Sequence, residues 1–200
     1  SIFGDFSNIS NLKIEIPKDG ANLEIYTMKI IEKVPDFGLK NLESFSFRVK
    51  NFNLDDLVES HPNLKYLSIT GDPGSVQNFK SLSKLKNLET LSINDIFGFT
   101  SEGFPNPKEL PKLQRLKLSS IPKEVGSYIK TNFKHLKDLE VRQLRDKKWL
   151  TENLNNPFRD WEDREEISSA NFKKAFSSFK KLNTSISKDL SVSELKEKFI

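Results

Sequence analysis

The stretch Asn63-Leu64-Lys65-Tyr66-Leu67-Ser68-Ile69 decides how this chain is read. Leu67 and Ile69 stand two apart, the alternation of a strand, which sends them to one side and Tyr66, Ser68 and Thr70 to the other. Together with Leu64 they make a six-residue frame with apolar first, fourth and sixth places. The frame recurs as Leu42-x-x-Phe45-x-Phe47, Leu88-x-x-Leu91-x-Ile93, Leu113-x-x-Leu116-x-Leu118 and Leu136-x-x-Leu139-x-Val141. Steps between the leading leucines are 22, 24, 25 and 23 residues. A strand cannot cover its own apolar side, so a frame returning at this period calls for copies stacked side by side.

Other positions keep the same beat. Three residues before the leading leucines stand Leu39, His61, Leu85, Leu110 and Phe133, and Asn41-Leu42-Glu43, Asn63-Leu64-Lys65 and Asn87-Leu88-Glu89 are nearly one phrase. On these residues the chain resembles the leucine-rich repeat family over about residues 39–145. The resemblance implies an α/β solenoid with a curved parallel sheet on the inner face, short helices and irregular loops outside, and covers at both ends. One feature departs from the family. Its usual Asn or Cys three residues beyond the last apolar strand place is here Lys50, Asp72, Ile96, Ile121 or Leu144. The turns after the strands are therefore expected to be irregular and filled with apolar side chains.

Around this central part, residues 1–38 are expected to form an N-terminal cover. Ile9-x-x-Leu12-x-Ile14 and Leu23-x-x-Tyr26-x-Met28 both fit the frame but lie too close for two repeats. A hairpin turning at Pro17-Lys18-Asp19-Gly20 accounts for both, and one repeat plus a connector is the alternative. Between the strands, residues 53–60 predict a short helix capped by Asn53, and residues 76–86 place Phe79, Leu82 and Leu85 at helical spacing. Residues 122–132 predict a helix with Val125, Ile129 and Phe133 on one side. Pro105, Pro107 and Pro111 argue for a loop over 94–111, with Phe97, Phe99 and Phe104 plugging the core beneath it. After about residue 145 the period stops. Residues 146–200 are expected to supply a C-terminal helical cover and tail, with a helix over 168–182 carrying Phe172, Phe176 and Phe179, and a capped turn at Ser191. This part loosely resembles the ends of some bacterial intracellular leucine-rich repeat proteins.

Composition narrows the classes. With 200 residues, 36% of them hydrophobic, the chain can build one substantial core. Cysteine is absent, which removes disulfides and thiolate chemistry and fits a reducing compartment, so a cytoplasmic location is the expectation. The first residue is Ser1 and not Met, so an upstream segment removed by processing, with export, is the alternative. Heavy use of Phe, Lys, Asn and Ile matches an AT-rich bacterial source.

No constellation of residues argues for catalysis, a metal or a cofactor, and none is expected. His61 and His135 lack a third His, a Cys or metal-ligand spacing, so both are expected in structural places. The acidic run from Asp160 to Glu166 is broken by Arg164 and lacks a calcium-loop frame; it is expected to be a solvated helix start.

The expected function is a non-enzymatic protein–protein interaction scaffold, with a protein or peptide lying across the inner sheet. The candidate partner-binding residues are Arg48, Tyr66, Ser68, Thr70, Thr90, Ser92, Asn94, Arg115, Lys117, Glu140 and Arg142, with Ser44, Ser46, Ser119 and Asp138 beside them. An acidic portion of the partner is expected over Arg115, Lys117 and Arg142. Residues 105–148 hold 12 basic against 5 acidic residues, so binding of nucleic acid or another polyanion through this stretch is the alternative.

Overall fold

The computed structural model describes residues 2–3, 24–31, 41–162 and 164–186. The chain divides into two compact units, Ser1–Lys147 and Lys148–Ile200. The first is mixed α/β. Its strands are β1 (Ile2–Phe3), β2 (Glu24–Ile31), β3 (Ser44–Val49), β4 (Asn51–Asn53), β5 (Tyr66–Gln77), β6 (Thr90–Phe97), β7 (Arg115–Pro122) and β8 (Asp138–Arg145). Every pairing among them is parallel. The sheet is open, in the order β1-β2-β3-β5-β6-β7-β8, with β4 beside β5.

The recurring frame sets the register. Phe45 pairs with Leu67, Leu67 with Leu91, Leu91 with Leu116 and Leu116 with Leu139. The second row runs Phe47, Ile69, Ile93, Leu118, Val141 in the same way. These side chains are fully buried through β7 and half-buried on β8. A slip of one residue would turn every one of them to the other face.

Parallel neighbours need crossovers, and four are described: α1 (Leu54–Ser60), a 3-10 turn at Phe79–Lys84, another at Pro107–Glu109, and α2 (Lys123–Asn132). Asn53 caps α1 by accepting from the Asp55 amide at 3.0 Å. In α2, Val125 and Ile129 turn inward, as their spacing predicts. All four crossovers finish alike. The amides of His61, Leu85, Leu110 and Phe133 donate back to the carbonyls of Leu57, Leu82, Pro107 and Ile129, and all four side chains are buried. The next strand then starts at a shared carbonyl. Glu43 accepts from both Lys65 and Tyr66, Lys65 from Glu89 and Thr90, and Glu89 from Gln114 and Arg115.

The turns on β6, β7 and β8 are more regular than expected, while that on β5 is irregular as expected. Asp95, Ser120 and Gln143, each seven residues after a leading leucine, take φ of 56°, 51° and 46°. At each the chain bends, and on β7 and β8 it does so without an extra residue on either strand, since pairing resumes in the same register with Ile121 opposite Leu144. The apolar filling is as expected, since Ile96 and Ile121 are fully buried. The order comes from the left-handed residue, which redirects the strand without ending its ladder. On β5 the bend is longer. Gly71, Asp72 and Pro73 stand against Asp95 alone, and a Cβ on Gly71 would lie 1.9 Å from the Asp95 carbonyl oxygen. Glycine is required there by close approach of two backbones.

At the N-terminal side the register is one residue off the frame read from sequence. Ile25, not Tyr26, pairs with Phe45, and the pairing shifts again between Tyr26 and Ile30. Residues 9–14 and the turn at 17–20 lie outside the described residues.

A column of aromatic rings fills the side of the core away from the sheet. Phe79 stacks on Phe99 (4.1 Å between centroids) and on Phe104 (5.9 Å), and Phe104 meets Phe133 edge-on at 5.9 Å. Phe97, Phe99 and Phe104 are buried as expected, but residues 94–97 belong to β6 and Pro107–Glu109 forms a 3-10 turn, so the loop is shorter than the expected 94–111.

The second unit holds most of α3 (Lys147–Asn153), a 3-10 turn at Arg159–Trp161 and α4 (Ser169–Ile186). Phe158 packs on Trp161 at 4.8 Å and edge-on to Phe179 at 6.1 Å, and Trp149 donates its indole N–H to Glu162 at 2.7 Å. The helix expected at 168–182 is α4; the turn expected at Ser191 lies outside the described residues.

Because Phe79 touches two other rings, Phe79→Ala is expected to lower unfolding stability by about 3–5 kcal/mol. The half-exposed Phe176→Ala should cost far less. Urea denaturation of the two variants compares them, and equal losses would remove the aromatic column from the account.

Candidate functional site: the exposed face of the sheet

Strand alternation turns the residues between the buried rows to the opposite face, and parallel register lines them up across β3, β5, β6, β7 and β8. The first row is Ser44, Tyr66, Thr90, Arg115, Asp138. The second is Ser46, Ser68, Ser92, Lys117, Glu140, and the third is Arg48, Thr70, Asn94, Ser119, Arg142. Strands lie about 4.8 Å apart and same-face residues of one strand about 6.6 Å apart, so the rows form a regular grid. Ser44 is buried; the others are half-buried or exposed. All eleven candidate binding residues of the sequence reading fall on this grid.

The grid has two chemical halves. On β3, β5 and β6 it is mostly hydroxyls, with Arg48 and Asn94 on the third row and Tyr66 half-buried between Ser44 and Thr90. Short hydroxyls leave backbone-sized room above them and offer both donors and acceptors. On β7 and β8 the grid is charged and internally compensated. The Lys117 ammonium lies 3.8 Å from Asp138 and 3.7 Å from Glu140, and Arg142 Nε donates to Glu140 at 2.6 Å. Of the three cations expected to receive an acidic ligand, Arg115 alone has no ion-pair partner among the described residues. The basic excess of residues 105–148 is therefore not concentrated on this face. Sequence reasoning counted those charges along the chain, whereas register sorts them by height on the strand.

The two histidines are not brought together. His61 is buried edge-on to Phe45 at 6.0 Å, and the exposed His135 lies beside Phe133 at 6.4 Å, three frames further along. Among the described residues no three His, Cys, Asp or Glu side chains form a metal-binding group. Likewise none of the described helices is long and apolar enough to cross a membrane.

Polar side chains also tie successive crossovers. Asn78, at φ 58°, donates its amide to Asn53 at 3.0 Å and to Asp55, and the Ser81 hydroxyl donates to Asp55. These bonds, led by that from Ser81, hold the Asp55 carboxyl below its ordinary 3.8. Lys80, 2.6 Å away, and the Asn106 amide do the same for Glu109, whose ordinary value is 4.5.

No protein-family model, curated protein or solved structure matches the chain.

Asp55 and Glu109 have folded values below their unfolded ones, so their stabilisation is present above the unfolded pKa and lost as pH falls through the folded one. Thermal midpoints measured between about pH 2 and 5 should fall more steeply for the wild type than for Asp55→Asn, Glu109→Gln. Parallel curves would show that neither carboxylate contributes in this window.

Proposed function

We propose that residues 39–145 form a leucine-rich-repeat-type α/β solenoid, and that its exposed sheet face holds a protein or peptide partner without catalysing a reaction. The reading rests on the grid of three rows. Its middle row repeats serine across β3, β5 and β6 at Ser46, Ser68 and Ser92, which suits an extended ligand that meets the same chemistry at each step. A catalytic site needs unlike groups converging on one point.

In this reading, the partner's backbone and small side chains lie over the hydroxyls of Ser68, Thr70, Thr90 and Ser92. Tyr66 supplies the aromatic anchor, a residue type enriched where binding energy concentrates. An acidic side chain of the partner meets Arg115 first and competes for Lys117 and Arg142. Exposed ion pairs contribute about 0–1 kcal/mol, so the existing pairs with Glu140 and Asp138 do not lock that half. The nucleic-acid alternative draws less support, since two of the three cations on β7 and β8 already have acidic neighbours.

A photo-crosslinking residue placed at Ser68 or Ser92 in the native cell should give discrete adducts. The same residue at exposed Thr131, on α2, should not. With the partner in hand, Tyr66→Ala should weaken binding about tenfold or more. Equal adducts from both sides of the sheet would remove the face as the binding surface.

A further inference from the structure

The basic excess that the sheet face lacks is gathered elsewhere. In a parallel sheet all strands start at one rim, and here each start is preceded by the end of a crossover. Three successive rim segments, residues 84–89, 108–114 and 130–137, carry Lys84, Lys86, Lys108, Lys112, Lys130, Lys134 and Lys137 against Glu89 and Glu109 alone. All seven lysines are exposed. None makes an ion pair with another described residue; Lys112 donates to the Asn87 side chain at 2.7 Å and Lys86 to the Glu109 carbonyl at 3.4 Å. Glu109 is itself engaged by an eighth lysine, Lys80.

We infer that this rim docks the chain electrostatically on an anionic lipid bilayer. Three features select a lipid surface over other polyanions. First, the lysines spread in two directions. They repeat from turn to turn along the sheet, and within each turn they run from the crossover end to the strand start, so a planar array of charges engages them together. A single acidic peptide follows one line. Second, the rim has lysine and no arginine. Ammonium groups on flexible stems act as point charges that suit a diffuse anionic surface, whereas bidentate capture of a single carboxylate or phosphate favours the arginine fork. Third, the rings of Phe104 and Phe133 are buried, and the exposed imidazole of His135 is the one ring left on these three segments, too little for a run of stacked bases. The rim is separate from the grid of the proposed peptide site, so either stands without the other.

Vesicle co-sedimentation at low salt tests the assignment, using phosphatidylcholine alone and with about 30 mol % phosphatidylserine. Binding is expected only to the anionic vesicles, and it should weaken steeply between about 0.05 and 0.3 M salt. The variant Lys112→Glu, Lys134→Glu, Lys137→Glu should lose about a hundredfold in affinity, at roughly one decade or somewhat less per lysine. Its melting curve checks that it stays folded. The face variant Arg115→Glu, Lys117→Glu, Arg142→Glu should bind as the wild type does. The proposal is overturned by no binding to anionic vesicles, by equal binding to neutral ones, by binding that survives the rim reversal, or by equal loss in the face variant. Tighter binding to polyglutamate or to duplex DNA than to vesicles would overturn it in favour of that partner.

Discussion

Every other feature of the first unit depends on one constraint: each strand has an apolar side that it cannot cover by itself. Leu67 and Ile69 leave water only because Phe45 and Phe47 stand on one side and Leu91 and Ile93 on the other, at the same height. The same condition holds at each step across the sheet, and it weakens at β8, whose Leu139 and Val141 are half-buried. Burial at about 25 cal/mol per Å² is non-directional, so it sets no register by itself. Register comes from the alternation, since sliding one residue would expose a whole row.

Backbone bonding then adapts to that stacking. Each of the four described crossovers ends with an amide bonded back to its own last turn. Strands β5, β6 and β7 each begin on a carbonyl shared by two amides, while β8 begins on the single bond from Asp138 to Gln114. At the far end of the strands, the left-handed residues Asp95, Ser120 and Gln143 bend the chain, and Ser120 donates to Asp95 at 3.0 Å. Ile96 and Ile121 fill the space behind the bend. Rings rather than long helices fill the other side, where Phe79, Phe99, Phe104 and Phe133 bridge crossovers of at most about three turns.

Much of this was legible because it is local. The frame announced strands β3, β5, β6, β7 and β8, Asn53 announced its helix, and three phenylalanines ahead of three prolines announced buried rings beside a loop. What failed was non-local. Tyr26 looked like a core position because Leu23 and Met28 fit the spacing, yet pairing with β3 selected Ile25. The bends looked irregular because no Asn marks them, and nothing in Asp, Ser and Gln as residue types requires a positive φ.

The candidate face was read correctly as a set of residues but not as an electrostatic surface. Alternation along each strand names which side chains share a side, and that follows from two-residue periodicity alone. Which charges lie next to one another depends on how strands pair, because Glu140 reaches Lys117 only across 23 residues of chain. The sequence by itself thus determined the inside and outside of the sheet. Tertiary structure decided that Lys117 lies on a compensated face while Lys108, Lys112, Lys130, Lys134 and Lys137 lie on an exposed rim, since a charge's neighbours are set by strand register and by its height along the strand.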